Sequence, residues 1–322
     1  MFIYRLREGI SMPRALKFVL IVVAVVVVSI VLLIIGIKFL FNAMMTVQMA
    51  PDDYTIQVKT AGTLEKQYLS KGSYETKYFE TEYPENEDIQ KIEIWYPADM
   101  ENTNNKYPVV LFVNGTGVGA SRYRPVFEHL ASWGFIAVGN EDPSTWEGKK
   151  ADETLSFILK ANETESSIFY QKTDLNNIGV TGHSQGGVGV FNIINSTAYK
   201  DIYKCAVSLS PTEEEMAAAI HIPYNPSEVS LLIFMLCGTE NDVISPENMI
   251  KSYQKVKTPK AMAVRIGANH GEMLYSADGY VTAWFMWQLQ GDVNAAKAFF
   301  GKNPELLNNS LYQNQKIDLM SE

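Results

Sequence analysis

The run Gly182-His183-Ser184-Gln185-Gly186-Gly187 stands directly behind a short apolar stretch, Ile178-Gly179-Val180. It has the Gly-x-Ser-x-Gly form in which a strand turns sharply into a helix and a serine is held in a strained backbone conformation with its hydroxyl exposed. Glycines flank the serine because a Cβ at those positions collides with the adjoining strand and helix. Residues 186–194 then read as the helix that packs back on the sheet. A small-residue turn can spell this pattern by chance. Strand, turn and helix in the required order, with suitable partners downstream, are a narrower requirement.

A serine hydroxyl is a poor nucleophile near neutral pH and needs a base, itself oriented by an acid. Two later strands offer such groups. Residues 231–237 (Leu-Leu-Ile-Phe-Met-Leu-Cys) read as a buried strand, followed by the polar turn Gly238-Thr239-Glu240-Asn241-Asp242. Residues 261–266 read as another, leading into Gly267-Ala268-Asn269-His270-Gly271. The chain order Ser184, Asp242, His270 is that of the α/β-hydrolase fold, and differs from the orders used by other serine hydrolase folds. The expected roles are Ser184 as nucleophile, His270 as general base and then acid, and Asp242 as the group that fixes the imidazole tautomer.

Each role has rivals among the four histidines and the nearby carboxylates. His183 belongs to the turn itself, where its side chain should point away from the substrate side. His129 lies in an expected helix, 124–132, as a surface or packing residue. His221 falls in the irregular stretch between two strands. Glu240 competes with Asp242, but Asp242 sits deeper in the loop, just before Val243-Ile244-Ser245-Pro246 opens the next helix.

A tetrahedral oxyanion requires preorganised backbone donors. One should be the Gln185 amide. The other should come from the loop after the strand 108–113, Asn114-Gly115-Thr116-Gly117-Val118-Gly119, and is assigned to Thr116, with Gly117 as its competing neighbour. The same loop satisfies the dinucleotide fingerprint Gly-x-Gly-x-x-Gly/Ala over residues 115–120, with Glu141 about twenty residues on, where a ribose-binding acid would stand. A nicotinamide-binding protein is therefore an alternative reading, one that leaves Ser184, Asp242 and His270 unexplained.

The N-terminus carries an independent signal. Between residues 18 and 37 only Ser29 and Gly36 are not strongly apolar, a length able to cross a bilayer of roughly 30 Å as a helix. Arg5, Arg7, Arg14 and Lys17 precede it and only Lys38 follows closely. The positive-inside bias then puts residues 1–17 in the cytoplasm and the following domain outside, on a single-pass anchor at the cell membrane. A cleaved secretory signal is the competing reading, although the run exceeds the usual apolar core of such signals. The expected organisation is a basic segment 1–17, an anchor 18–41, a stalk 42–70 and a catalytic domain 71–322.

Of the 322 residues, 47% are apolar and 20% charged, with a formal net charge of -9, which suits a globular chain and excludes nucleic acid as an expected partner. Cys205 and Cys237 each fall in or at the end of a strand and read as buried thiols, close enough to bridge only if the geometry allows. No cluster has metal-ligand spacing, so neither metal nor cofactor is expected. Residues 74–81 and 89–96 suit antiparallel opening strands. After them strand and helix alternate, the pattern of a mostly parallel sheet covered on both faces. Only about twenty residues separate the strand ending near Ser210 from the one at Leu231, too few for a large cap.

From about residue 109 to 306 the chain resembles the dienelactone-hydrolase-related branch that includes cutinase-like polyester hydrolases and poly(ethylene terephthalate) hydrolases. The resemblance rests on Asn114-Gly115, residues 182–187, Glu240-Asn241-Asp242-Val243-Ile244-Ser245-Pro246, Gly267-Ala268-Asn269-His270 and the C-terminal residues 283–292, Ala-Trp-Phe-Met-Trp-Gln-Leu-Gln-Gly-Asp. It implies the α/β-hydrolase fold and a triad of Ser184, Asp242 and His270. Three positions depart from the family pattern: Thr116 replaces an aromatic residue, Gln185 a Met, and Pro211-Thr212-Glu213-Glu214-Glu215 the region of a Trp. A more polar and acidic cleft is expected. The resulting expectation is a membrane-anchored serine hydrolase of small-molecule or polymeric esters. Acyl transfer or peptidase chemistry on the same triad, and a non-catalytic binding domain, are alternatives. Oligomeric state is left open.

Overall fold

The computed structural model describes residues 13–45, 47–196 and 198–319. It divides into two units, Met1–Val47 and Gln48–Glu322. The first contains helix α1 (Arg14–Met45). Its stretch Arg14–Phe39 is 26 residues with a mean hydropathy reaching 3.7. At 1.5 Å per residue that stretch is about 39 Å long, enough by length and composition to cross a membrane. Its apolar side chains from Leu16 to Phe39 are largely exposed. Arg5 and Arg7 lie outside the described residues.

In the second unit, two short helices, α2 (Tyr54–Gln57) and α3 (Thr63–Leu69), precede the sheet. The strands are β1 (Thr76–Glu82), β2 (Lys91–Pro97), β3 (Tyr107–Val113), β4 (Ile136–Asn140), β5 (Thr173–His183), β6 (Tyr203–Leu209), β7 (Leu232–Glu240), β8 (Lys260–Asn269) and β9 (Tyr312–Asp318). They form one sheet in the order β1-β2-β4-β3-β5-β6-β7-β8-β9. The six strands from β4 to β8 in that order run parallel, while β1 and β2 at one edge and β9 at the other pair antiparallel. The central strands are apolar on both faces, as a doubly covered parallel sheet requires. In β3, Val109, Leu111 and Val113 enter one core while Val110 and Phe112 enter the other.

Helices α5 (Lys149–Glu163), α6 (Gln185–Ser196) and α8 (Pro246–Lys255) supply Leu155, Phe191 and Met249 to the first core. Helices α4 (Arg124–Ser132) and α9 (Asp278–Gln290) supply Phe127 and Trp284 to the second. Between β6 and β7 the chain forms only α7 (Glu214–Ala219) and one 3-10 turn, so among the described residues no large cap is inserted there. The mixed α/β sheet with helices on both faces is consistent with an α/β-hydrolase.

Residues 48–70 differ from the expected stalk. Tyr54, Tyr68 and Leu69 are buried in the second core, and Glu65, 1% exposed, meets Arg265 of β8 at 3.0 Å. A short, polar, turn-rich stretch spells a linker in composition, and only its tertiary partners, from Trp133 beside Tyr68 to Arg265 200 residues beyond Glu65, reveal otherwise. The acid on which the dinucleotide reading leaned is engaged within the loop. Residues 115–119 lead into a 3-10 turn, Ala120–Tyr123, and the Glu141 carboxylate accepts hydrogen bonds from the amide and hydroxyl of Ser121 at 2.7 and 3.0 Å. Glu141 thus staples the loop. Cys205 and Cys237 are free thiols on opposite faces of the sheet, one in each core, so a bridge between them is excluded by geometry.

Candidate active site

Ser184 follows the last residue of β5 and has φ +62°, the left-handed strain expected of the turn. Two close approaches enforce the flanking glycines. A Cβ on Gly186 would overlap the Val113 carbonyl oxygen of β3, and one on Gly182 would come within 2.8 Å of that same oxygen. The tight turn leaves Ser184 partly exposed at the carboxyl end of the sheet.

The three expected residues meet there. His270 Nε2 lies 2.9 Å from Ser184 Oγ, and His270 Nδ1 lies 3.0 Å from Asp242 Oδ1. A carboxylate only accepts, so Nδ1 carries the proton and Nε2 is left to accept from the serine. The Asp242 side chain is 2% exposed and that of His270 25%. Burial pushes the Asp242 carboxyl up, but hydrogen bonds from His270, Ser210 and the Gly238 amide outweigh it and hold Asp242 below the usual aspartate range. Its four donors include Ser210 Oγ at 2.6 Å, the Gly238 amide at 2.7 Å and the Val243 amide at 2.7 Å. Glu240 is exposed at the end of β7, where its carboxylate accepts from Thr239 Oγ1 at 3.4 Å. Asp242, not Glu240, is thus beside the histidine.

The remaining histidines sit elsewhere. His129 is more than a packing residue: its Nδ1 meets Asp278 Oδ2 at 2.7 Å, both side chains being 2% exposed, and Tyr54 donates to that same oxygen at 2.5 Å. His221 has φ +64° in the turn after α7 and is exposed. His183 is buried against the His270 turn, with Nε2 2.7 Å from the His270 carbonyl oxygen.

The loop after β3 approaches the serine closely, since a Cβ on Gly115 would lie 3.6 Å from Ser184 Cβ. Its amides are mostly engaged. Gly115 donates to Tyr123 Oη at 2.9 Å, Gly117 to the Pro143 carbonyl at 2.9 Å, and Val118 to the Gly115 carbonyl at 3.2 Å. Among the described residues the amides of Thr116 and Gln185 have no partner. Asn114 holds this loop from beneath: its Nδ2 donates to the carbonyls of Asn140 and Asp142 at 2.7 and 2.9 Å, and its own carbonyl accepts from Thr145 Oγ1 at 2.8 Å.

Sequence reasoning missed Ser210, His183 and Asn114 as supports of the site. Ser210 carried a faint signal, ending a strand beside the nucleophile strand; the other two become partners only through the fold. The chemistry open to the arrangement is proton removal from Ser184 by His270, with the resulting imidazolium stabilised by Asp242.

Comparison with known proteins adds a class. The Chlorophyllase family matches residues 65–214, a stretch that includes Ser184 and stops before Asp242 and His270. Chlorophyllase-1, chloroplastic, from Citrus unshiu is 31% identical over 136 residues, 38% of this chain. The chain spans 39% of that relative's length. These matches support the α/β-hydrolase superfamily. They do not single out the cutinase-like polyester branch.

Proposed function

We propose that this protein is a serine ester hydrolase that works through an acyl-enzyme, with Ser184 as nucleophile, His270 as base and acid, and Asp242 as orienting group. The observation that carries the reading is the continuous chain from Ser184 Oγ to His270 to Asp242 at 2.9 and 3.0 Å. The similarity to Chlorophyllase supports an ester as substrate. In this mechanism Ser184 Oγ attacks the ester carbonyl as His270 takes its proton. The oxyanion accepts from the amides of Thr116 and Gln185. The alkoxide then leaves with the proton held by His270, and water, deprotonated by the same nitrogen, releases the acid and frees the serine. The short excursion between β6 and β7 leaves the cleft open to extended or bulky esters.

The test is hydrolysis of p-nitrophenyl esters of increasing chain length by the full chain in detergent, beside Ser184→Ala. Turnover of at least one ester and its loss in the folded variant are expected; equal turnover by the variant would remove Ser184 from its role. We also propose that α1 is an uncleaved anchor with the catalytic unit outside the cell. Protease added to intact cells should then digest that unit, whereas a shorter soluble protein in the medium would mark a cleaved signal.

A further inference from the structure

We propose that His183 is the positioning residue for the base: its buried imidazole ties the turn that carries His270 to the nucleophile turn. This rests on the reading of Ser184 and His270 given above. Ser184 and His270 lie 86 positions apart, just after β5 and just after β8, strands separated in the sheet by β6 and β7. Small changes of twist across two intervening strands would move serine and histidine apart by more than a hydrogen bond tolerates. His183 offers a direct connection. It precedes Ser184 in the chain, is 3% exposed, and its Nε2 stands 2.7 Å from the carbonyl oxygen of His270 itself.

A carbonyl oxygen only accepts, so His183 must carry its proton on Nε2 and donate. Burial first, and the neighbouring His270 second, push the His183 pKa down to about 4, so the ring stays neutral near pH 7. Its centroid lies 4.5 Å from that of His270, with a 31° tilt. Neutrality matters at that distance. When His270 takes the serine proton, a second imidazolium beside it would oppose the transfer, whereas a neutral ring offers a polarisable face. The His270 turn is braced from its other side by Asn269 and Glu272, which exchange amide-to-side-chain hydrogen bonds at 3.0 Å in both directions. His183 and this brace together hold the base.

The experiment compares His183→Phe with His183→Gln. Phe keeps the ring and the apolar burial but has no donor; Gln places an amide NH2 where Nε2–H stood. A packing role would rank Phe above Gln. Positioning reverses that rank: kcat should fall about 10–100-fold in His183→Phe with KM nearly unchanged, the scale of a misplaced reacting group, and His183→Gln should regain most of it. The downfield proton resonance of His270 Nδ1 bonded to Asp242 should persist in His183→Gln and broaden in His183→Phe. That resonance is read without turnover. A wild-type protein inactive on every ester would therefore sink the proposed reaction while the His183 comparison still decided its own question. Where His183→Phe fails to fold, nitrogen-15 shifts of the wild-type chain decide. Protonation of His183 at Nε2 supports the proposal, and at Nδ1 overturns it, as does a His183→Phe variant with wild-type kcat and an unchanged resonance.

Discussion

The Ser210 hydroxyl donates to Asp242 Oδ2 at 2.6 Å from a fully buried residue whose φ is +42°. A serine in the left-handed region costs of order 1–2 kcal/mol, and here the conformation turns the end of β6 so that its hydroxyl reaches the acid of the site. Ser210→Ala removes one of four donors and leaves the backbone amides in place. Hydrogen bonds to charged groups contribute about 1.5–3 kcal/mol. A fall of roughly tenfold in kcat/KM is expected, about 1.4 kcal/mol, with folding intact. Unchanged activity would mean that the Gly238 and Val243 amides suffice to hold Asp242.

Asp242 and Glu240 separate cleanly under isosteric substitution. Asp242→Asn keeps the shape but favours the wrong imidazole tautomer, which in serine proteases costs about 10⁴ in kcat. Glu240 is exposed and away from the imidazole, so Glu240→Gln should retain most activity. Steady-state kinetics on a p-nitrophenyl ester ranks the two, and the opposite order would move the acid to Glu240.

The local turn of the site was legible because its geometry is steric and short-range. Gly182, Gly186 and the strained Ser184 are dictated within five residues, and Asp242 and His270 each follow a strand that its own apolar run announces. The Thr116 amide was assigned from loop chemistry, with Gly117 as its rival; the carbonyl of Pro143 takes the Gly117 amide. What stayed hidden depends on residues distant in sequence. Strand β9 is polar and alternates weakly because it forms a sheet edge. His129 looked like a helix-surface residue because its partner, Asp278, is 149 positions away. Residues 48–70 looked like a stalk because their apolar anchors, Tyr54 and Tyr68, are few and their polar anchor, Glu65, is a residue type that composition assigns to the surface.

Two buried histidines give the stability pH dependences of opposite sign. His183 titrates near pH 4 in the folded protein and at 6.5 otherwise. The unfolded chain therefore binds its proton first, and stability falls as pH drops from 6.5 toward 4, by about 3 kcal/mol in full. For His129, burial opposes the charge, but Asp278 together with the carbonyls of Ser70 and Leu69 outweighs it and raises the pKa above 6.5. Its contribution is complete below pH 6.5 and is lost as pH rises through the folded value. Urea unfolding of the wild type and of His183→Gln across pH 4–6.5 checks the acid side. The variant should lose less stability on acidification, and parallel curves would show that His183 is not the group responsible.

Glu65 decides where the folded unit that carries the sheet begins. Its Oε1 accepts from Arg265 Nη1 at 3.0 Å and from Tyr312 Oη at 3.0 Å, and its Oε2 accepts from Asn309 Nδ2 at 2.7 Å and the Ala61 amide at 2.9 Å. Arg265 is 6% exposed at its side chain, so removing the carboxylate strands a buried guanidinium. Breaking a buried pair in this way costs about 3–5 kcal/mol. Glu65→Ala should lower Tm by roughly 10 °C, at about 2–4 °C per kcal/mol for a unit of this size. The helix that bears Glu65 is itself held from the far end of the chain, since the Glu305 carboxylate accepts from the amides of Leu64 and Glu65 at 2.8 and 2.9 Å. A chain begun at residue 71 loses Glu65 and its helix together with Tyr54 and Tyr68, leaves Arg265 without its carboxylate, and should be recovered unfolded or aggregated. One begun at residue 48 should melt cooperatively near the temperature of the full chain. If the chain begun at 71 melts as sharply and as high, residues 48–70 are a dispensable stalk after all, and the contacts made by Glu65 add nothing to the fold.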